Sequence, residues 1–185
     1  MTDNIRIRLL TPSDIYPEML EQFRHKQIIS NKWIKSEGRY ELIKTYEIRE
    51  WSQEKKIWIP QYLCQQMNRG GFAAGAFCND QIVGFSCIDG ILQGTAEKYA
   101  NLTMLFVDDE WKRKGVGRKL FKQMSLSAEN MEANKIFISA IQSSDTISFY
   151  FNMGCSDAKR IIESFVDTEK DRYLEYDLKR NGFLS

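Results

Sequence analysis

Between residues 111 and 121 the chain reads WKRKGVGRKLF, with Lys112, Arg113, Lys114, Arg118 and Lys119 set around Gly115 and Gly117. Cations beside residues that carry no side chain suit a ligand that is negatively charged and needs close main-chain approach. A phosphate chain meets both conditions. The first turn of a helix has N–H groups with no intrahelical acceptor and a partial positive charge. Glycine there lets a phosphate reach those groups. Cations crowded at a helix start oppose its dipole by about 0.3–1 kcal/mol each, so their clustering points to a bound anion. Two well-known phosphate loops do not fit. Leu120 stands where the third glycine of a G-x-G-x-x-G fingerprint belongs, and no Gly-Lys-Ser/Thr of a P-loop occurs. What remains is an apolar strand, the turn Asp108-Asp109-Glu110, and K-R-K-G-V-G opening a helix.

That chemistry needs elements to position it. IRIRLL (5–10) alternates and predicts a first strand. Thr11-Pro12-Ser13-Asp14, followed by Ile15, Met19, Leu20 and Phe23 at helical spacing, predicts a helix to about His25. Residues 28–50 read as a hairpin turning at Glu37-Gly38. Residues 52–68 read as helical, with Pro60 beginning, breaking or kinking the helix. Strands follow at 71–78 and 81–88, joined by Asn79-Asp80, and at 99–107. Val116, Leu120, Phe121, Met124 and Met131 share one helical face. KIFISAI (135–141) predicts a strand, SSDTISFYFNMG a short helix ending at Gly154, and residues 159–166 and 172–178 a closing antiparallel pair. The order is β-α, a variable insert, then β-β-β-α-β-α-β-β, a mixed α/β sheet in one domain.

Composition excludes other classes. The net charge is +1, too small an excess for a general nucleic-acid surface. No apolar run approaches the ~20 residues of a membrane span, and the polar start MTDNIRIR lacks the apolar stretch of a signal peptide, so a cytoplasmic protein is expected. Cys64, Cys78, Cys87 and Cys155 form no C-x-x-C pair and stand far from the single histidine, His25. They read as small buried hydrophobes, with no metal site expected. His25, in a charged helical stretch, reads as a solvated side chain.

The segment LFVDDEWKRKGVGRKLF resembles the acetyl-CoA motif of the GNAT family of N-acetyltransferases. That motif has Gln or Arg, any two residues, Gly, any residue, then Gly or Ala. Gly115 and Gly117 match, and Lys112 takes the Gln/Arg position. SSDTISFYFNMGC resembles the family's late segment, Asn-x-x-Ala-x-x-Phe/Leu-Tyr-x-x-x-Gly-Phe. Phe149, Tyr150 and Gly154 match, while Ser143, Thr146 and Cys155 replace the usual Asn, Ala and Phe. The two matches cover about residues 71–178, and the first strand and helix fit as well.

The resemblance implies a mixed, mostly antiparallel central sheet flanked by helices. It implies one domain over residues 1–185, with an acceptor-side insert at about 26–68. Its chemistry is direct transfer of an acetyl group from acetyl-CoA to a primary amine of a small molecule, without metal, nucleic acid or membrane. The main chain of Leu105, Phe106 and Val107 would pair with the pantetheine arm and polarise the thioester carbonyl. Lys112, Arg113, Lys114, Gly115, Val116, Gly117 and Arg118 would cradle the pyrophosphate, and Ser143 would stand for the Asn that contacts the cofactor. Tyr150 would donate to the leaving sulfur, its phenol (pKa about 10) staying protonated at neutral pH.

The insert would shape the acceptor pocket, with Trp33, Glu47 and Trp51 as candidate linings. The base is not legible. An alkylammonium is neutral about once in 2,500 at pH 7, a gap of about 4.6 kcal/mol. The strand that carries a Glu in some family members is KIFISAI here. Glu47, Glu50 and Glu97 remain by elimination, and none is assigned. A catalytically degenerate acyl-CoA-binding sensor, a protein N-acetyltransferase and an RNA-binding protein using residues 112–119 stay open as rivals. The family's habit of dimerising leaves a homodimer open too.

Overall fold

The computed structural model describes residues 4–181; residues 1–3 and 182–185 lie outside them. The strands are β1 (Arg6–Leu9), β2 (Lys26–Ser36), β3 (Arg39–Glu50), β4 (Phe72–Cys78), β5 (Gln81–Ile88), β6 (Tyr99–Val107), β7 (Lys135–Ala140), β8 (Ser156–Asp157) and β9 (Arg172–Asp177). Seven form one sheet in the order β1-β4-β5-β6-β7-β9-β8, while β2 and β3 pair with each other as a separate hairpin. Within the large sheet only β6 and β7 run parallel. This is the mixed, mostly antiparallel sheet that the motifs implied.

Helices cover both faces. In α2 (Val116–Asn130) the residues Val116, Leu120, Phe121, Met124 and Ala128 are buried, a stripe at helical spacing that packs on one side of the sheet. On the other side α1 (Gln53–Asn68) presses Ile59 and Leu63 against Phe85, Cys87 and Met104. Each such side chain taken from water contributes roughly 1.5–3 kcal/mol. Gly84 fixes how closely α2 can lie. A Cβ on it would stand 2.9 Å from Val116 and 3.0 Å from Leu120. Bare glycine on β5 thus seats the first turn of α2 beside the end of β6. A third helix, α3 (Ser144–Asn152), buries Ile147 and Tyr150 in the same core as α2.

Two expected elements differ. Residues 12–25 form no α-helix: a single 3-10 turn spans Pro12–Asp14, and i to i−3 turns follow. Pro17 lacks the N–H that a helix would need, and its ring disfavours helical backbone at Tyr16. The Asp14 carboxylate also reaches back to the Thr11 N–H at 2.7 Å, closing a local turn. The expected strand at 159–166 is absent as well. The partner of β9 on that side is the two-residue β8, and Glu163–Phe165 is a 3-10 turn that tucks Phe165 beside Phe137. Hydrophobic side chains there satisfy burial without a ladder. Pro60, by contrast, stays inside α1, where it is buried.

One cation clamps the tip of the hairpin to the sheet. Arg172 opens β9 with its side chain 6% exposed, and its Nε and Nη2 donate to Asp157 at 2.7 and 2.8 Å. Its guanidinium lies 3.8 Å from the Tyr40 ring, 5.1 Å from Trp33 and 5.0 Å from Phe151. Tyr40 and Trp33 come from β3 and β2, Phe151 from α3. Arg172→Ala is expected to cost about 2–3 kcal/mol in urea unfolding, from lost stacking and packing. Faster amide exchange should follow in residues 33–42, and unchanged exchange there would mean that the clamp does not hold the hairpin.

Candidate active site

Strands β6 and β7 part company halfway. Their ladder consists of Tyr99 with Lys135, Ala100 with Ile136 and Asn101 with Phe137, and ends there, although β6 runs to Val107 and β7 to Ala140. On its other edge β6 stays paired with β5 as far as Val107. Beyond Asn101, therefore, a row of β6 main-chain groups faces an open gap. Thr103 is an extra residue on β6, since Cys87 pairs with Met104 and Ile88 with Leu102. Such a bulge adds twist and re-aims the strand. Main-chain N–H and C=O groups away from water need partners. The gap lies where the parallel strands splay at their carboxyl ends, the place where ligands enter sheets of this kind.

The glycine-bearing turn after β6 stands at the mouth of that gap. After β6, Asp108 is almost fully buried; its carboxylate accepts from the Glu110 N–H at 3.0 Å and from the Arg24 N–H at 2.8 Å. A 3-10 turn follows at Asp109–Trp111. Arg113 and Gly115 both take left-handed backbone, with φ of +62° and +79°. No side chain caps α2, whose first bond runs from the Lys119 N–H to the Gly115 C=O at 3.1 Å. The N–H groups of Val116, Gly117 and Arg118 therefore have no intrahelical acceptor. A Cβ on Gly115 would meet nothing within 4 Å, so the space over this turn is open. An uncapped helix start over open space, rimmed by exposed Arg113 and Arg118, fits a pyrophosphate. Lys112 is paired with Asp109 and Lys114 lies 4.3 Å from the Trp111 ring, so the main chain is the more direct anion ligand.

Both sequence motifs meet the strand here. A Cβ on Gly117 would stand 3.2 Å from the Phe149 ring and 3.7 Å from Leu105. Tyr150 is 7% exposed and packs against Phe121 and Phe149, with ring centroids 6.1 and 5.1 Å away. Burial pushes its phenol above the ordinary tyrosine value, which keeps the proton on. Ser143 is buried and busy as the N-cap of α3. Its hydroxyl accepts from the Thr146 N–H at 3.2 Å and from Gln27 Nε2 at 2.9 Å.

The three acceptor candidates are not brought together. Trp51 stacks on Phe23 at 5.5 Å and meets Phe106 at 4.8 Å, on the α1 side of the sheet. Trp33 belongs to the Arg172 clamp, and its main-chain N–H donates to the Gln142 C=O at 2.8 Å. Glu47 pairs with Lys32 and lines a cavity of about 80 Å³ with Arg49, Gln142, Ser143, Thr168 and Asp171.

His25 is not the solvated helical residue that its neighbours suggested. Arg24 and Lys26 are tied by their main chain to Asp108 and Asp109, through hydrogen bonds of 2.8 Å. That lacing lays the His25 ring 4.4 Å from Trp51 and 5.1 Å from Phe106. Its Nδ1 is buried without a partner among the described residues. Burial, reinforced by Lys112, pulls its pKa down to about 4. An unfolded chain takes up this proton from about pH 6.5 downward, whereas the folded chain refuses it until about pH 4. Stability attributable to His25 therefore falls as pH falls through that window. Wild-type protein should lose about 1–2 kcal/mol more than His25→Phe between pH 7 and pH 5. Equal losses in urea titrations at the two pH values would clear His25 of this role.

Across the gap from Thr103, the loop before β9 brings in two carboxylates that no motif marked. Ser139 on β7 donates its hydroxyl to Asp171 at 2.8 Å and accepts from the Asp167 N–H at 3.1 Å. Burial raises the pKa of both acids, and at Asp167 the charge of Asp171 adds to the rise. The run D-T-E-K-D reads in sequence as an ordinary charged turn, so nothing local distinguished it. Among the described residues no group of three or more His, Cys, Asp or Glu could hold a metal, and no helix is long and apolar enough to cross a membrane.

The sequence profile described as Acetyltransferase (GNAT) domain matches residues 13–164. Solved structures match as well. A nourseothricin acetyltransferase superposes with a TM-score of 0.65 at 14% identity, over 92% of this chain and 95% of that one. PaiA N-acetyltransferase from Thermoplasma acidophilum, in complex with coenzyme A, gives 0.59 at 19% identity, over 94% and 99%. A mutant of the AtaT toxin, bound to acetyl-CoA and to the C-terminus of the antitoxin AtaR, gives 0.59 at 15%, over 97% and 96%. These likenesses are of fold. No curated protein sequence matches.

Proposed function

We propose, for a chain that belongs to the GNAT acetyltransferase family, that it moves an acetyl group from acetyl-CoA to a primary amine of a small molecule by direct attack. The observation that carries this reading is the open β6–β7 gap facing the uncapped, glycine-lined start of α2. One end offers unpaired strand groups for an amide-rich arm, and the other offers N–H groups for a pyrophosphate. Acetyl-CoA, when bound, supplies an acetyl group activated as a thioester.

The chain's own groups do the rest. The main chain of Leu105 to Val107 holds the pantetheine arm, and a main-chain N–H of this bulged strand donates to the thioester oxygen. Loss of a donor of that kind typically costs about 2.7–4 kcal/mol of transition-state stabilisation. The main chain from Arg113 to Arg118 holds the pyrophosphate, while Arg113 and Arg118 neutralise it at the rim. Lys112 shapes the loop through Asp109, and Ser143 acts by capping α3. Tyr150 holds a proton for the departing sulfur. An acceptor of small size is supported by the small, open-sided cavity between β3 and the end of β7.

The test is calorimetry with acetyl-CoA, followed by thiol release against a panel of amines on the same sample. Binding with amine-dependent release is the expected result. Binding without release would favour a sensor, and absence of binding would overturn the phosphate reading of residues 112–118.

A further inference from the structure

An amine that arrives as an ammonium must lose a proton before it can attack, and β7 carries no carboxylate of its own. Resting on the acetyltransferase reading above, we propose that Asp171, held by Ser139 beside the gap, receives the acceptor's ammonium and takes its proton, with Asp167 adding a second negative charge for the same cation.

Position argues for it first. Ser139 is two residues past the last β6–β7 pair, on the stretch of β7 that pairs with β9 but has no partner on β6. The Ser139 hydroxyl fixes one Asp171 oxygen at 2.8 Å. The Asp171 side also lines the small cavity bounded by Glu47, Arg49, Gln142 and Thr168. The acid thus has one side tethered to the strand and another facing space that a small ligand can enter. Three elements converge there: β3 through Glu47 and Arg49, β7 through Ser139, and α1 through Lys55 and Tyr62, both within electrostatic reach of Asp167.

The surrounding charges suit the task. Facing the pair are Arg49 and Glu47 from β3, Lys55 and Tyr62 from α1, Lys170 from the loop itself and Tyr173 from β9. Arg49 favours the ionised form of Asp171, while burial works against it. Asp171 is partly buried and Asp167 exposed, and the charge of Asp171 is felt at Asp167; a cation shared by the two relieves that repulsion. Raised carboxyl values also narrow the gap to the ammonium, which makes the proton transfer less uphill. In the step itself, Asp171 takes one N–H proton and passes it to solvent. The nitrogen lone pair forms the C–N bond to the acetyl carbon, the C–S bond breaks, and the sulfur leaves with the Tyr150 proton. The second nitrogen proton returns through solvent to the phenolate, so the net products are amide, thiol and one proton.

The experiment compares wild type, Asp171→Asn, Asp167→Asn and Ser139→Ala, using n-butylamine, spermidine and tyramine as probes. Acetyl-CoA affinity and amine affinity are read by calorimetry, and thiol release is followed from pH 5 to 9. Asn at 171 can still accept from Ser139, so folding should survive. Asp171→Asn should keep acetyl-CoA affinity, weaken amine binding about 10-fold and slow turnover about 100-fold or more, the scale of lost acid–base catalysis. Its kcat/KM profile should lose the acidic limb, and Asp171→Glu should restore part of both. Ser139→Ala should shift that limb and lower the rate less, as a positioning residue would. An Asp171→Asn enzyme with wild-type rate and limb overturns the proposal while leaving the acetyltransferase reading intact. So does a wild type that binds acetyl-CoA yet neither binds nor acetylates any probe. A wild type that fails to bind acetyl-CoA overturns both.

Discussion

Gly117→Glu is expected to abolish acetyl-CoA binding while the fold persists. The position lies in the first turn of α2, where the N–H groups of Val116, Gly117 and Arg118 lack intrahelical partners. A carboxylate there occupies the room an anion needs and repels it. At about 4 Å and the effective dielectric of a protein surface, one such pair of charges costs about 4 kcal/mol, or about a thousandfold in affinity. The protein itself is less disturbed. The nearest atom to a new Cβ is the Phe149 ring at 3.2 Å, which must give by a few tenths of an ångström. Gly117→Ala is the control: it meets the same ring but brings no charge, and should bind acetyl-CoA within about 10-fold of wild type. Calorimetry on both variants, with circular dichroism to confirm folding, decides the matter. Wild-type affinity in Gly117→Glu would mean the loop is not the pyrophosphate site.

Tyr150→Phe should do the opposite, leaving binding intact and slowing turnover by about ten- to a thousandfold, the range of a lost general acid. The phenol lies in the core shared by α2 and α3, and burial holds it protonated beyond the ordinary tyrosine range. The neighbouring Cys155 thiol, pushed up to about 12 by the same burial, is protonated too, but an S–H is a weaker hydrogen-bond donor than a phenol. Phenylalanine keeps the ring that packs against Phe121 and Phe149, so stability should change little. Because the tyrosine remains protonated through neutral pH, wild-type activity should show no basic limb from it below about pH 10. An unchanged kcat in the variant would remove Tyr150 from the chemistry and leave it as core.

The strand, turn and glycine-bearing start of α2 were readable from the chain because their physics is local. A strand, a turn and a glycine-bearing helix start need about a dozen consecutive residues, and 105–118 hold them all. The α3 motif was readable for the same reason: Ser143, Phe149, Tyr150 and Gly154 sit on one short helix and its caps. Helix and strand periodicities placed α2 and β4 to β7 because each buries one face or both.

Elsewhere the sequence pattern was overruled by single residues and distant partners. Apolar spacing at 15–23 looked helical, yet Pro17 and the Asp14 turn dictate otherwise. His25 looked exposed until hydrogen bonds to Asp108 and Asp109, more than 80 residues away, drew it against Trp51 and Phe106. The hairpin was legible, but not that Arg172 would clamp its tip, nor that Trp33, Glu47 and Trp51 would end in three separate environments.

The chain by itself therefore determined the sheet-forming strands, the uncapped glycine-bearing helix start and the tyrosine helix, since local periodicity, capping and turn chemistry suffice for each. Tertiary structure alone decided that β6 and β7 would separate after Asn101 and that Ser139 would gather Asp167 and Asp171 beside the gap. Those contacts join residues about 30 positions apart through one hydroxyl, and no periodicity in a sequence records a bond of that kind.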